Sequence, residues 1–95
     1  MRDYELMVIL RPELPEDERS AQLETIQRWV GSTSGQLENI DEWGRRRLMY
    51  EIDNERDGYY LVYKLKLPAD APAELERNLR INENILRYLI IRLDE

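Results

Sequence analysis

The apolar residues of this chain fall into six segments that alternate between a two-residue and a three-to-four-residue rhythm. Tyr4 to Leu10 (YELMVIL) is a short, nearly all-apolar run of strand formers, closed by Pro12 and Pro15. Glu16, Asp17 and Glu18 then stand where a helix N-terminus favours negative charge. Leu23, Ile26 and either Trp29 or Val30 recur at helical spacing until Gly31 and Gly35 end the pattern. From Gln36 to Ile52 the chain reads as one long strand. Leu37 and Ile40 are out of phase with Leu48, Tyr50 and Ile52, and a one-residue slip sends every later side chain to the other face. Gly44 is therefore expected to mark a bend or bulge. Asp57 and Gly58 supply a turn. Tyr59 to Leu67 has the cleanest alternation: Tyr59, Leu61, Tyr63, Leu65 and Leu67 on the face to be buried, and Tyr60, Val62, Lys64 and Lys66 on the other. That pattern predicts a central strand. Asp70 is placed to cap a short second helix with Pro72 in its first turn and Leu75 and Leu79 as its inward stripe. Asn82 to Asn84 break it, and Ile85 to Leu93 (ILRYLIIRL) is the last strand.

The order βαββαβ folds into a four-stranded antiparallel sheet with both helices on one face, an α+β, ferredoxin-like arrangement spanning a single domain, residues 1–95. The other face of such a sheet is bare. RNA binders, ligand-sensing modules, metal carriers and acyl phosphatases all use this topology, so it does not select a function.

Composition narrows the choice. With no cysteine there is no disulfide framework or thiolate metal site, and with no histidine the commonest general base and metal ligand are missing. Ser32 and Ser34 have no histidine to activate them, the scattered glycines form no phosphate loop, and Glu13, Glu16, Asp17 and Glu18 match a helix dipole better than a metal. The sequence argues against an enzyme, and no metal or cofactor is expected. No apolar run reaches membrane length and no leader is evident, so a cytoplasmic protein is expected. The formal net charge is −6, yet all basic residues except Lys64 and Lys66 are arginine, whose planar fork grips phosphate and stacks on rings.

Three of those arginines stand together. Arg45, Arg46 and Arg47 lie inside a strand pattern, where alternation sends Arg46 to one side and its neighbours to the other. All three stay solvated only at a sheet margin or bulge, which Gly44 permits. Two readings fit: a phosphate-binding site, or a charged edge that discourages strand-to-strand pairing. Arg2 and Tyr4 are expected nearby if the first strand is central, adding a cation and a stackable ring. Tyr50, Tyr60 and Tyr88 are candidates to display rings on the bare face, with Val62 beside them; they suit a base-stacking surface, a protein-docking surface, or plain packing.

Gly44, Arg46, Arg47, Leu48, Tyr50 and Ile52, spaced G-x-R-R-L-x-Y-x-I, resemble the signature segment of the family of the sixth protein of the bacterial small ribosomal subunit. Arg2, Tyr4 and Glu5 resemble its N-terminal pattern, and Asp57, Gly58 and Tyr59 also match. The likeness covers essentially the whole chain. It implies a structural protein bound to the central domain of small-subunit rRNA, in company with the eighteenth small-subunit protein, with no catalytic step and no small-molecule substrate. Arg2, Tyr4, Arg46 and Arg47 become rRNA-contact candidates, joined by Arg45 through the triplet. Tyr50, Tyr60, Val62 and Tyr88 become candidates for the partner-facing surface. Met49 stands where alanine or serine is usual in that family, and Asp53 where a basic or small polar residue is usual. A polar C-terminal tail common in relatives is expected to be curtailed at Glu95. The competing reading is a small-ligand regulatory module of the same topology, binding an amino acid or similar metabolite at a dimer interface. Such a module calls for a Gly-rich loop after the first strand, where this chain has Arg11, Pro12 and Glu13.

Overall fold

The structure, a computed structural model, describes residues 1–93; the expected end of the tail at Glu95 lies outside the described residues. Six elements follow in order: β1 (Arg2–Leu10), α1 (Glu16–Ser32), β2 (Gln36–Ile52), β3 (Glu55–Leu67), α2 (Ala71–Arg80) and β4 (Ile85–Arg92). The strands form one antiparallel sheet in the order β2-β3-β1-β4. This is the ferredoxin-like arrangement, with β3 and β1 central and β2 and β4 at the edges.

The two-residue rhythm sets the faces. Tyr4, Leu6, Val8 and Leu10 of β1 stand opposite Leu65, Tyr63, Leu61 and Tyr59 of β3, and nearly all of these are buried in one core with Ile26 and Val30 of α1 and Leu75 and Leu79 of α2. Each fully covered leucine contributes about 1.5–3 kcal/mol through removal of apolar surface from water. The intervening residues, Met7 and Ile9 of β1, Tyr60 and Val62 of β3, and Arg87 and Leu89 of β4, point to the face without helices.

The helix ends differ in detail from the sequence expectation. Gly31 does not stop α1, which runs on to Ser32. The chain turns at Ser34, with φ 65, and the Gly35 N–H then donates to the Val30 carbonyl. A side chain at Gly35 would meet Leu67 Cδ2 at 2.5 Å, so glycine there permits close approach to β3. Asp70 precedes α2 without making a side-chain cap; the first-turn N–H of Ala71 donates to the Pro68 carbonyl instead. The Asn82 side chain donates to Gln22 of α1 at 2.8 Å and accepts from the Asn84 N–H, which explains the break after α2.

The turn between β2 and β3 falls at Asp53 and Asn54, not at Asp57 and Gly58. Both turn residues have positive φ, 49 and 65, the geometry a two-residue hairpin needs and one that Asp and Asn tolerate. Gly58 lies within β3, where a Cβ would sit 2.3 Å from Ile9 Cγ2. Its glycine serves packing. The expected bulge is present: Trp43 is the extra residue between the pairs Glu42/Leu61 and Gly44/Tyr60, and Gly44 has φ 81. Ile40 consequently faces the helices, whereas Leu48 lies on the opposite side beside Gly58.

Candidate nucleic-acid and partner interface

The far half of β2 and the start of β3 extend past the end of β1, whose last pair is Leu10 with Tyr59. The three arginines sit where this hairpin leaves the sheet, opposite Tyr59, Gly58 and Asp57. Arg45 donates to the Asp57 carboxylate at 3.2 Å. Arg46, on the face without helices, lies over the Trp43 ring at 4.9 Å, and Trp43 is stacked against Tyr60 with centroids 6.2 Å apart and planes 11° from parallel. Arg47 points to the other side and is exposed. Among the described residues neither Arg46 nor Arg47 has an ion-pair partner, so both guanidiniums remain available to an anion.

Beside them, on the face without helices, is a cleft of about 300 Å³. Met7, Ile9, Leu48 and Tyr60 form its floor, with Leu89 and Arg87 along the β4 side. Tyr50 closes one end: it is 62% exposed and accepts a hydrogen bond from Arg87, whose guanidinium also faces the Tyr50 ring. Met49 beside it is 98% exposed. The cleft is therefore apolar with one cation at its rim, which suits protein docking better than a polar metabolite.

Not every residue marked from the sequence belongs here. Tyr4 is only 7% exposed and packs into the core opposite Leu65, so its ring has no free face for stacking. Tyr88 turns its ring to the helices, opposite Val8, and its hydroxyl donates to Glu76 of α2 at 3.2 Å; it borders the cleft but does not display its ring on the bare face. Val62 has the expected orientation, opposite Met7 and Asp41, but is buried. Arg2 is exposed opposite Leu67, nine positions along β3 from the Arg46 partner Gly58. At about 3.4 Å per residue that is a separation of about 30 Å. β1 is central as expected, but β1 and β2 both run antiparallel to β3, which puts the start of β1 and the end of β2 at opposite ends of the sheet. Trp43, Arg87 and Leu89 do not stand out in the sequence as members of this surface. The alternation of ILRYLIIRL reveals the last two only once β4 is aligned with β1.

Glu55, Tyr63 and Tyr59 titrate above their ordinary values. A hydrogen bond shared with Glu13 is the main cause holding the Glu55 carboxyl above its ordinary value, reinforced by partial burial and opposed by Arg11. Burial raises Tyr63, whose hydroxyl has no partner, and burial with the Glu42 hydrogen bond raises Tyr59. No cluster of carboxylates suited to a metal exists among the described residues, and none of their helices is long and apolar enough to cross a membrane.

The fold and its exposed arginine hairpin define a class: a small ferredoxin-like α+β protein that presents a cationic hairpin and an apolar cleft. Residues 3–92 match the model of the family described as ribosomal protein S6. The chain belongs to that family. It is 43% identical to small ribosomal subunit protein bS6 of Thermoanaerobacter pseudethanolicus over the full length of both chains. It is 47% identical to the bS6 protein of Salinispora arenicola, over 97% of this chain and 96% of that one. The crystal structure of 30S ribosomal protein S6 from Thermotoga maritima superposes with a TM-score of 0.92 at 29% identity, covering 97% of this chain and 87% of that chain. The P2 domain of the chemotaxis kinase CheA from the same organism, at 16% identity and a TM-score of 0.66, shares the fold alone. The protein is thus a structural, ribosome-associated component of the small subunit and its rRNA, and not an enzyme.

Proposed function

We propose that this protein binds the central domain of small-subunit rRNA through the hairpin arginines, together with the eighteenth small-subunit protein, on ribosomes in the cytoplasm. The observation that carries the reading is that Arg46 and Arg47, neither in an ion pair among the described residues, project from opposite faces of the hairpin, Arg46 on the uncovered sheet face that also holds the apolar cleft. Arg46 is held over Trp43, which keeps its fork extended for a phosphate, and Arg45 can exchange Asp57 for one. Arg2, at the far end, touches at most a separate stretch of backbone. In the cleft, Leu89, Tyr50 and Tyr60 form the docking surface, with Val62 as buried support.

Charge explains why two proteins act together. A net charge of −6 repels RNA beyond the hairpin, and a Debye length of about 8 Å limits that repulsion without making the rest of the surface attractive. A basic partner in the cleft extends the positive surface, and by linkage the RNA tightens the protein pair by the same factor. The test is a titration of a central-domain rRNA fragment with this protein alone, with the eighteenth small-subunit protein alone, and with both. Affinity should rise sharply with both. Tight saturable binding by this protein alone, unimproved by the partner, would refute the cooperative reading.

A further inference from the structure

The end of the β2–β3 hairpin is not a regular ladder. Between the pairs Arg47/Asp57 and Ile52/Glu55, four residues of β2 face a single residue of β3. Such a bulge bends its strand and leaves the tip without a continuous ladder to set its angle. Side chains from outside the hairpin meet that tip. Glu13 shares a hydrogen bond with Glu55, Arg87 holds Tyr50, and Arg11, in the loop after β1, reaches further.

Arg11 Nη2 donates to the Asp53 carboxylate at 3.0 Å, and Nη1 stands 3.8 Å from the Glu55 carboxylate. Its Nε donates to the Glu83 carbonyl at 2.9 Å, and its backbone N–H donates to the Asn84 carbonyl at 3.0 Å. One side chain, 27% exposed, thus ties the hairpin turn to the loop between α2 and β4. Exposed ion pairs are individually weak, but a planar fork that engages three acceptors in fixed directions sets an orientation, which a flexible ammonium does not.

We propose that Arg11 is a positioning residue: it fixes the angle of the hairpin tip and thereby the place of Tyr50 at the end of the docking cleft, whereas Arg46 and Arg47 are held by the ladder before the bulge. The first half stands on the hairpin alone; the second rests on the reading of partner docking and rRNA binding above.

Amide hydrogen exchange and rRNA titration on the full chain test the two halves separately. Arg11→Met should speed exchange of the amides from 49 to 56 about fivefold, while those of Leu6 and Tyr63 in the β1–β3 ladder keep their protection. Asp53→Asn, which Asn accepts at this positive φ, should produce part of the effect, and the double variant should be no faster than Arg11→Met. Unchanged hairpin exchange, or fully additive effects of the two substitutions, overturns the clamp. With the partner present, Arg11→Met should weaken rRNA binding several-fold and leave its salt slope unchanged, because every phosphate keeps its arginine. A lower slope overturns the positioning role by making Arg11 itself a phosphate ligand, and unchanged affinity with faster exchange overturns it equally. Failure of the wild-type pair to bind the fragment defeats the rRNA reading and the second half with it, whereas the exchange result decides the clamp without RNA.

Discussion

Gly58→Ala offers a sharp test of how the hairpin joins the sheet. In an ordinary strand, replacing glycine by alanine stabilises by about 0.4–1 kcal/mol, because the unfolded chain loses freedom. At position 58 the added methyl would stand 2.3 Å from Ile9 Cγ2, with Leu48 Cδ2 at 3.4 Å on another side. Carbon atoms pack best at about 3.5–4.0 Å, so the gap must open by more than about 1 Å. Ile9 cannot yield by rotation alone: it is buried, and its β-branch fixes the torsion that carries Cγ2. The strain then falls on the backbone, where Gly58 pairs with Arg46 and Leu10 with Tyr59. Overpacking of this kind costs about 1–3 kcal/mol, which outweighs the entropic gain and corresponds to a drop in Tm of about 5–15 °C for a domain of this size. Urea denaturation at 25 °C measures it. Ile9→Leu moves the branch away from Cβ, so adding it should return most of the stability. A neutral or stabilising Gly58→Ala, or the same cost in the Ile9→Leu background, would refute the close approach to Ile9 as the cause.

The remaining expectations can be checked with the same protein. Replacing Arg46 and Arg47 by glutamine should leave the thermal melt nearly unchanged and lower the salt slope of rRNA binding by about one unit for each phosphate no longer neutralised; an unaltered slope means that neither touches phosphate. Tyr63→Phe removes a buried hydroxyl that has no partner, so stability should hold or rise by up to about 1 kcal/mol, and a fall of that size would show the hydroxyl to be bonded. Glu55, raised above 4.5 chiefly by its hydrogen bond with Glu13, favours the folded state when protonated. Its contribution is complete below pH 4.5 and is lost as pH rises through the folded-state value. The Tm of Glu55→Gln relative to wild type should therefore climb over that window, and a difference that stays flat with pH would count against the shared proton.

The six elements are legible in the sequence because burial on a single helix-bearing face leaves a strong periodic trace. Even the bulge at Gly44 can be read there, since Ile40 and Leu48 end on opposite faces because of it. The turn is misplaced in the sequence for a physical reason: Asp57 and Gly58 form a stronger local turn signal than Asp53 and Asn54, but Gly58 is there to admit Ile9. Tyr4 and Tyr88 mislead because an aromatic residue in a strand reads alike from either side until the register is known. Arg2 falls far from the triplet because two strands that flank one antiparallel neighbour run parallel to each other, so the start of β1 and the far half of β2 lie at opposite ends of the sheet. Asp53, where the resemblance implied a basic or small polar residue, has a local reason in its pairing with Arg11; nothing in the structure explains the exposed Met49.

The strand order also bears on how the chain comes into being. β1 is made first and lies between β3 and β4, its two partners. Its nearest partner in β3 follows roughly 50 residues later, and its nearest in β4 roughly 75. At about 5–20 residues per second, a nascent β1 waits about 3–10 s with both flanks bare before β3 is even synthesised. Only the β2–β3 hairpin can form from neighbours in the chain. Docking of β1 must therefore wait until both of its partners are made, whereas the two strands of the arginine hairpin follow each other directly in the chain and can pair first.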